Sequence, residues 1–250
     1  MDETPSPELL RAELPRWSWS AGDLFVFIGF FCVSLVVLPA LSVAIAGIFR
    51  PGISLTDLPG EIQILIQAVL DFVWVGFIFF LIKVVHRQPI RESIHWIPTS
   101  RYRKLGLIAL GVLMSVAVSL ASSLFLPKTP LPIEKLAEST RSLVFLAMFG
   151  MFVAPIMEEI MFRGFFFTVL CDLTSPRVAV PVTALLFALL HAPQLWGSWA
   201  AVGLIFVLGY VLSLARHRTN SLIPSFIIHT AYNSTLFGVS VIGALLEHGK

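Results

Sequence analysis

Seven apolar runs, at 24–49, 62–85, 105–126, 142–170, 178–191, 195–215 and 222–246, take up most of this chain. Most of them reach the ~20 helical residues that cross a hydrocarbon core about 30 Å thick. Hydrophobic residues make up 57% of the 250, and Asp, Glu, Lys and Arg only 13%, against about 25% charged residues in soluble domains. Such a chain cannot cover itself with polar surface, so lipid is its solvent. There the backbone must satisfy its own hydrogen bonds, and uninterrupted runs of this length do so as helices. The expected fold is all-α, a polytopic transmembrane helix bundle of about seven to eight spans.

The first run follows about twenty polar residues of mixed charge and is longer than the 7 to 15 residues of a secretory signal core. Ala44 and Ala46 imitate a cleavage site, but the segment reads as a retained membrane helix. The Pro-rich stretch 127–132 divides the chain. Residues 1–23 are expected to form a cytoplasmic N-terminal segment, 24–130 an N-terminal set of membrane helices and 131–250 a C-terminal set. The two sets form one integrated bundle, because neither has a polar surface of its own.

Basic residues set the orientation. The N-terminus, the segment 83–104, Arg177 and the turn at 216–218 together hold eleven of the seventeen Lys and Arg. By the positive-inside rule that side, and the N-terminus with it, is cytoplasmic. Short loops point to a bacterial cell membrane. The stretch 86–104 carries Trp96 and Tyr102 among its bases, which suits an anionic headgroup surface and equally suits an ordinary topology-setting loop. A formal charge of +2 gives no reason to expect a nucleic-acid partner, and Cys32 and Cys171, far apart in apolar runs, make no disulfide framework. The expected partners are membrane lipid and a membrane-associated protein or peptide.

Ionisable groups inside a span cost on the order of 2.5 to 3.5 kcal/mol each on insertion scales. Here they concentrate in three of the last four runs: Glu158, Glu159 and Arg163, then His191, then His229 with Asn233. Glu159 and Arg163 are four apart, so they share a helix face and can pair. Glu158 is rotated about 100° from that face and needs a partner from another helix. Single buried polar residues often act only as helix-to-helix glue. Two carboxylates, an arginine, two imidazoles and an amide on helices of compatible direction call for more than glue.

A carboxylate in a dry site can serve as general base toward water, and Glu158 is placed for that, with His191 to hold or share the water. His229 and Asn233 offer N–H donors for an oxyanion. Hydrolysis of an amide or ester uses all of these roles. Two His with one or two Glu also resemble a zinc set, although no HExxH is present; the reading adopted is metal-independent, without a cofactor, and a divalent metal such as zinc stays open. A small transporter is a further alternative, for which Asp71 and Lys83 in the second run are the extra polar features.

The same residues resemble the three motifs of the CAAX prenyl protease and bacteriocin-processing family (CPBP, also Abi) of glutamic intramembrane proteases. EExxxR is matched by Glu158, Glu159 and Arg163, FxxxH by Phe187 and His191, and HxxxN by His229 and Asn233. The likeness spans roughly 142–236; the first three runs share only hydrophobicity. It implies a helical bundle with a cavity open to the membrane or cytoplasm and an intramembrane endopeptidase acting on membrane-associated or lipidated proteins. It further implies that Glu158 with His191 activates water, His229 with Asn233 stabilises the oxyanion, and Glu159 with Arg163 supports the site. Relatives linked to bacteriocin immunity make a non-catalytic membrane adaptor the other alternative.

Overall fold

The computed structural model describes residues 18–98, 104–125 and 131–248. Most of the expected cytoplasmic N-terminal segment, Tyr102, most of the Pro-rich divider and Lys250 lie outside these residues. The described chain is all-helical, without a strand. Its helices are α1 (Ala21–Phe49), α2 (Gly60–Val85), the short α3 (Ile90–Ser93), α4 (Lys104–Phe125), the short α5 (Pro132–Leu136), α6 (Thr140–Leu173), α7 (Pro176–His191), α8 (Trp199–Thr219) and α9 (Leu222–His248).

Among the described residues five helices, α1, α2, α4, α6 and α8, are long and apolar enough to cross a membrane. Two of the seven runs, those of α7 and α9, do not meet that measure, and the reason is physical. Helix α7 has 16 residues, short of a full span. Helix α9 has 27, but Ser225, His229, Thr230, Asn233, Ser234 and Thr235 dilute its apolar character. These two helices carry much of the polar site. The protein is an integral membrane protein, and its exposed apolar side chains, such as Val36 on α1 and Leu113 and Leu120 on α4, form the outer surface of the bundle.

The sixth run starts and ends later than its hydrophobicity suggests. Ser198 caps α8, its Oγ accepting from the Ala201 N–H at 3.3 Å. At the other end Asn220 takes the left-handed conformation, φ 49°, a common helix stop. The helix thus runs past Ala215 to Thr219, and Arg216, counted above as a basic turn residue, lies inside it, only 2% exposed. The stop signal is the backbone of Asn220, not the charges before it.

Without a hydrophobic force between helices in lipid, packing depends on small residues and polar ties. The Trp74 indole N–H donates to Ser34 Oγ at 2.8 Å, and Phe30 stacks on Phe77 at 4.0 Å, joining α2 to α1. Helix α4 packs along α9. At their closest approach, a Cβ on Gly111 would fall on the Ile228 carbonyl, the Ala231 methyl and the Tyr232 backbone nitrogen. None of these atoms can step aside without moving α9. Gly111→Val is expected to destabilise the protein by about 1–3 kcal/mol, as overpacking does, whereas Gly106→Val, with nothing within 4 Å on the same helix, costs less. Thermal unfolding in lipid of the two variants checks this.

Candidate active site

Helix α6 is regular at neither end of its two glutamates. Ala154 donates its N–H to Phe149 O rather than to Gly150 O, and Phe167 donates to Phe162 O rather than to Arg163 O. Both are π-helical turns, at Phe149–Val153 and Ile160–Phe166, and they bracket Glu158 and Glu159. Such widened turns are frequent at functional sites. Pro155 contributes to the first, since its missing N–H cannot continue an α-helical ladder. Each turn releases one carbonyl, and a side chain from another helix supplies the donor. Asn233 on α9 gives its Nδ2–H to Gly150 O at 2.8 Å. Arg216 on α8 gives its Nε–H to Arg163 O at 3.2 Å.

Glu159 and Arg163 are both fully buried and paired, with Arg163 Nη1 donating to Glu159 Oε1 at 2.9 Å. The other arm of the guanidinium, Nη2, donates to Gly209 O on α8 at 3.0 Å. Its carbon lies 4.6 Å from the centre of the Phe187 ring, close enough for a cation–π contact. Glu159 Oε1 also faces His229 Nδ1 at 3.0 Å. A carboxylate held by two cationic or N–H partners is the arrangement that makes burial of charge tolerable.

Glu158 differs. Its side chain is 16% exposed and makes no hydrogen bond within the protein among the described residues; its oxygens lie 4.0 Å from His191 Nε2 and 3.6 Å from His229 Nε2. His191 Nδ1 lies 2.8 Å from Phe187 O. A carbonyl only accepts, so Nδ1 carries the proton and Nε2 is the nitrogen that faces Glu158. Phe187 thus acts twice: its carbonyl fixes the tautomer of His191, and its ring packs on His191 at 4.6 Å, on His229 at 5.8 Å and on Phe162 at 5.1 Å.

The structure brings Glu158, Glu159, Arg163, His191 and His229 into one connected cluster, with Asn233 one turn further along α9 on the carbonyl of Gly150. That bond uses one of the two amide N–H groups of Asn233. Asp71, on the buried side of α2, takes an N–H from Gln67 at 2.8 Å and lies within electrostatic reach of Glu158. Lys83, its companion in the transporter reading, is exposed at the end of α2. Among the described residues no three His, Cys, Asp or Glu side chains are arranged to hold a metal ion; both imidazoles spend Nδ1 on protein acceptors. Sequence reasoning missed Arg216 and the double part of Phe187. For Arg216 the one available signal was Asn220, a helix-stopping residue four positions on.

Residues 140–235 match the family described as type II CAAX prenyl endopeptidase Rce1-like. This part of the chain is similar to that family. The matched segment holds both π-helical turns and every residue of the cluster, together with Arg216 and Asn233. The UPF0177 protein YxdF of Lactococcus lactis subsp. lactis (strain IL1403) is 33% identical over 93 residues, covering 37% of this chain and 48% of the relative. The chain thus spans about half the length of the curated relative it matches. No solved structure matches. The Rce1-like family is a protease family, and within the matched segment Glu158 is the carboxylate of the cluster that remains partly open, beside two imidazole nitrogens.

Proposed function

We propose that this protein is an intramembrane endopeptidase that hydrolyses a peptide bond of a membrane-associated or lipidated substrate, with Glu158 activating the water. The observation that carries the reading is the contrast between the two glutamates: Glu159 is closed off by Arg163 and His229, whereas Glu158 has both oxygens facing imidazole nitrogens at 3.6 and 4.0 Å and none bonded. A water held between Glu158 and the Nε2 lone pair of His191 gives its proton to Glu158 as its oxygen attacks the substrate carbonyl. The oxyanion is stabilised by N–H donors. His229 spends Nδ1–H on Glu159, so an Nε2–H donor requires its doubly protonated ring, and Asn233 has one amide N–H left. Glu158 then passes its proton to the departing amine as the C–N bond breaks, which returns it to the carboxylate form.

No metal enters these steps. The balance of basic residues still favours a cytoplasmic N-terminus after Arg216 is withdrawn from it, and the Lactococcus relative supports a bacterial membrane. The test is hydrolysis of a peptide bearing a C-terminal lipid anchor by the full chain in phospholipid vesicles, run in ¹⁸O-labelled water. The expected product carries one ¹⁸O in its new carboxylate, and a chelator leaves the rate unchanged. Full cleavage by Glu158→Gln would remove the proposed mechanism; loss on chelation restored by zinc would replace it with a metal-assisted one.

A further inference from the structure

Two arginines clasp α6 to α8 in opposite directions. Arg163 of α6 reaches out with Nη2 to the backbone of α8 at Gly209 O, 3.0 Å. Arg216 of α8 reaches back with Nε to the backbone of α6 at Arg163 O, 3.2 Å. Gly209 and Arg216 are seven residues apart, about two helical turns, and so share a face of α8. The carbonyl that Arg216 engages is the one released because Phe167 N–H bonds Phe162 O instead.

Arg216 is a costly residue for such a place. It is 2% exposed, and among the described residues no carboxylate lies within ion-pair distance of it. What offsets the burial is one acceptor for each of its three nitrogens: Arg163 O by Nε, Asn220 Oδ1 at 3.2 Å by Nη1 and Thr168 Oγ1 at 3.4 Å by Nη2, with the Phe167 ring 5.2 Å from the guanidinium carbon. Those acceptors sit within the widened turn, just past it and at the end of α8. A guanidinium that only oriented the protein in the membrane would face water or headgroups.

We propose that Arg216 is a positioning residue for the active site: by holding the released carbonyl of Arg163 it sets the rotation of α6 at which the Arg163 guanidinium meets Glu159. Asn233 has the matching part at the first turn, on Gly150 O. A merely structural cation would stabilise the fold without affecting turnover. A positioning one acts on the geometry of Glu159 and, through His229, on the groups around Glu158. This consequence for turnover rests on the endopeptidase reading, whereas the contact itself does not.

The experiment uses the full chain in lipid vesicles, labelled with carbonyl-¹³C arginine and ¹⁵N glycine. Arg163–Gly164 is the only Arg–Gly pair in the sequence, so one directly bonded ¹³C–¹⁵N signal reports the carbonyl. Arg216→Gln is expected to shift that signal and to lower kcat about ten- to a hundredfold, the scale of a small misplacement of catalytic groups, at unchanged KM, with Arg216→Lys recovering part of both. An unmoved signal overturns the contact; a moved signal with unchanged kcat in the folded protein overturns the positioning role. Should Arg216→Gln fail to fold, Thr168→Val, which removes one acceptor of the same guanidinium, is expected to give the same changes in smaller measure, and an unmoved signal there overturns the inference. Glu158→Gln is run beside them: if it cleaves normally the endopeptidase reading falls, while the carbonyl signal still judges the contact on its own.

Discussion

Replacing Glu158 with glutamine is expected to lower kcat by about 10²–10⁴-fold, the contribution of a positioned general base, while KM and thermal stability stay close to those of the wild type. The size follows from the role: glutamine keeps the volume and one carbonyl oxygen of glutamate but cannot take a proton from water. The spared stability follows from the environment. The Glu158 side chain is 16% exposed and makes no hydrogen bond within the protein among the described residues, so its neutral isostere leaves no buried partner stranded. Steady-state cleavage of a lipid-anchored peptide in vesicles, paired with thermal unfolding, checks both halves. A variant that lost activity only because it unfolded would not meet this expectation.

The second large effect is the reverse, on folding more than on chemistry. Arg163→Met leaves the fully buried Glu159 with His229 as its partner and removes the side-chain donor from the Gly209 carbonyl. Breaking a buried ion pair by removing one member costs about 3–5 kcal/mol, because the remaining charge stays out of water. The expected result is a sharp fall in thermal stability or in the yield of folded protein. Adding Glu159→Gln to Arg163→Met removes the stranded charge, and the double variant is expected to be more stable than Arg163→Met alone. Unfolding of the two variants and the wild type in the same lipid measures it, and a double variant no more stable than the single one would contradict the account. Hydrolysis stays impaired in both variants, since the partner of His229 Nδ1 has lost its Arg163 anchor in the one and its charge as well in the other.

Much of the all-α architecture could be read from the chain because it follows from local periodicity and solvent. Long apolar runs in lipid have little choice but helix, and the i,i+4 spacing of Glu159 and Arg163 puts both on one face before any tertiary contact forms. Span number was less legible. In α7 and α9 the apolar signal is short or diluted by the groups that make up the site, and hydrophobicity alone cannot tell a lipid-facing helix from one lining a polar interior. Arg216 shows the same limit. A basic residue near the end of an apolar run looks like a topology signal, and only the left-handed turn at Asn220 extends α8 far enough to bury it.

By itself the sequence determined that this chain lives in lipid as a helix bundle, and which unusual side chains lie along its last helices. Tertiary structure decided which of them meet: that Glu159 is closed by Arg163 and His229 while Glu158 stays open, and that Asn233 and Arg216 each cap a carbonyl on α6. The division has a physical cause. Helix formation and spacing along one helix depend on neighbours within a turn or two. The rotation of α6 depends on two widened turns, whose freed carbonyls find donors only once α8 and α9 have packed against it.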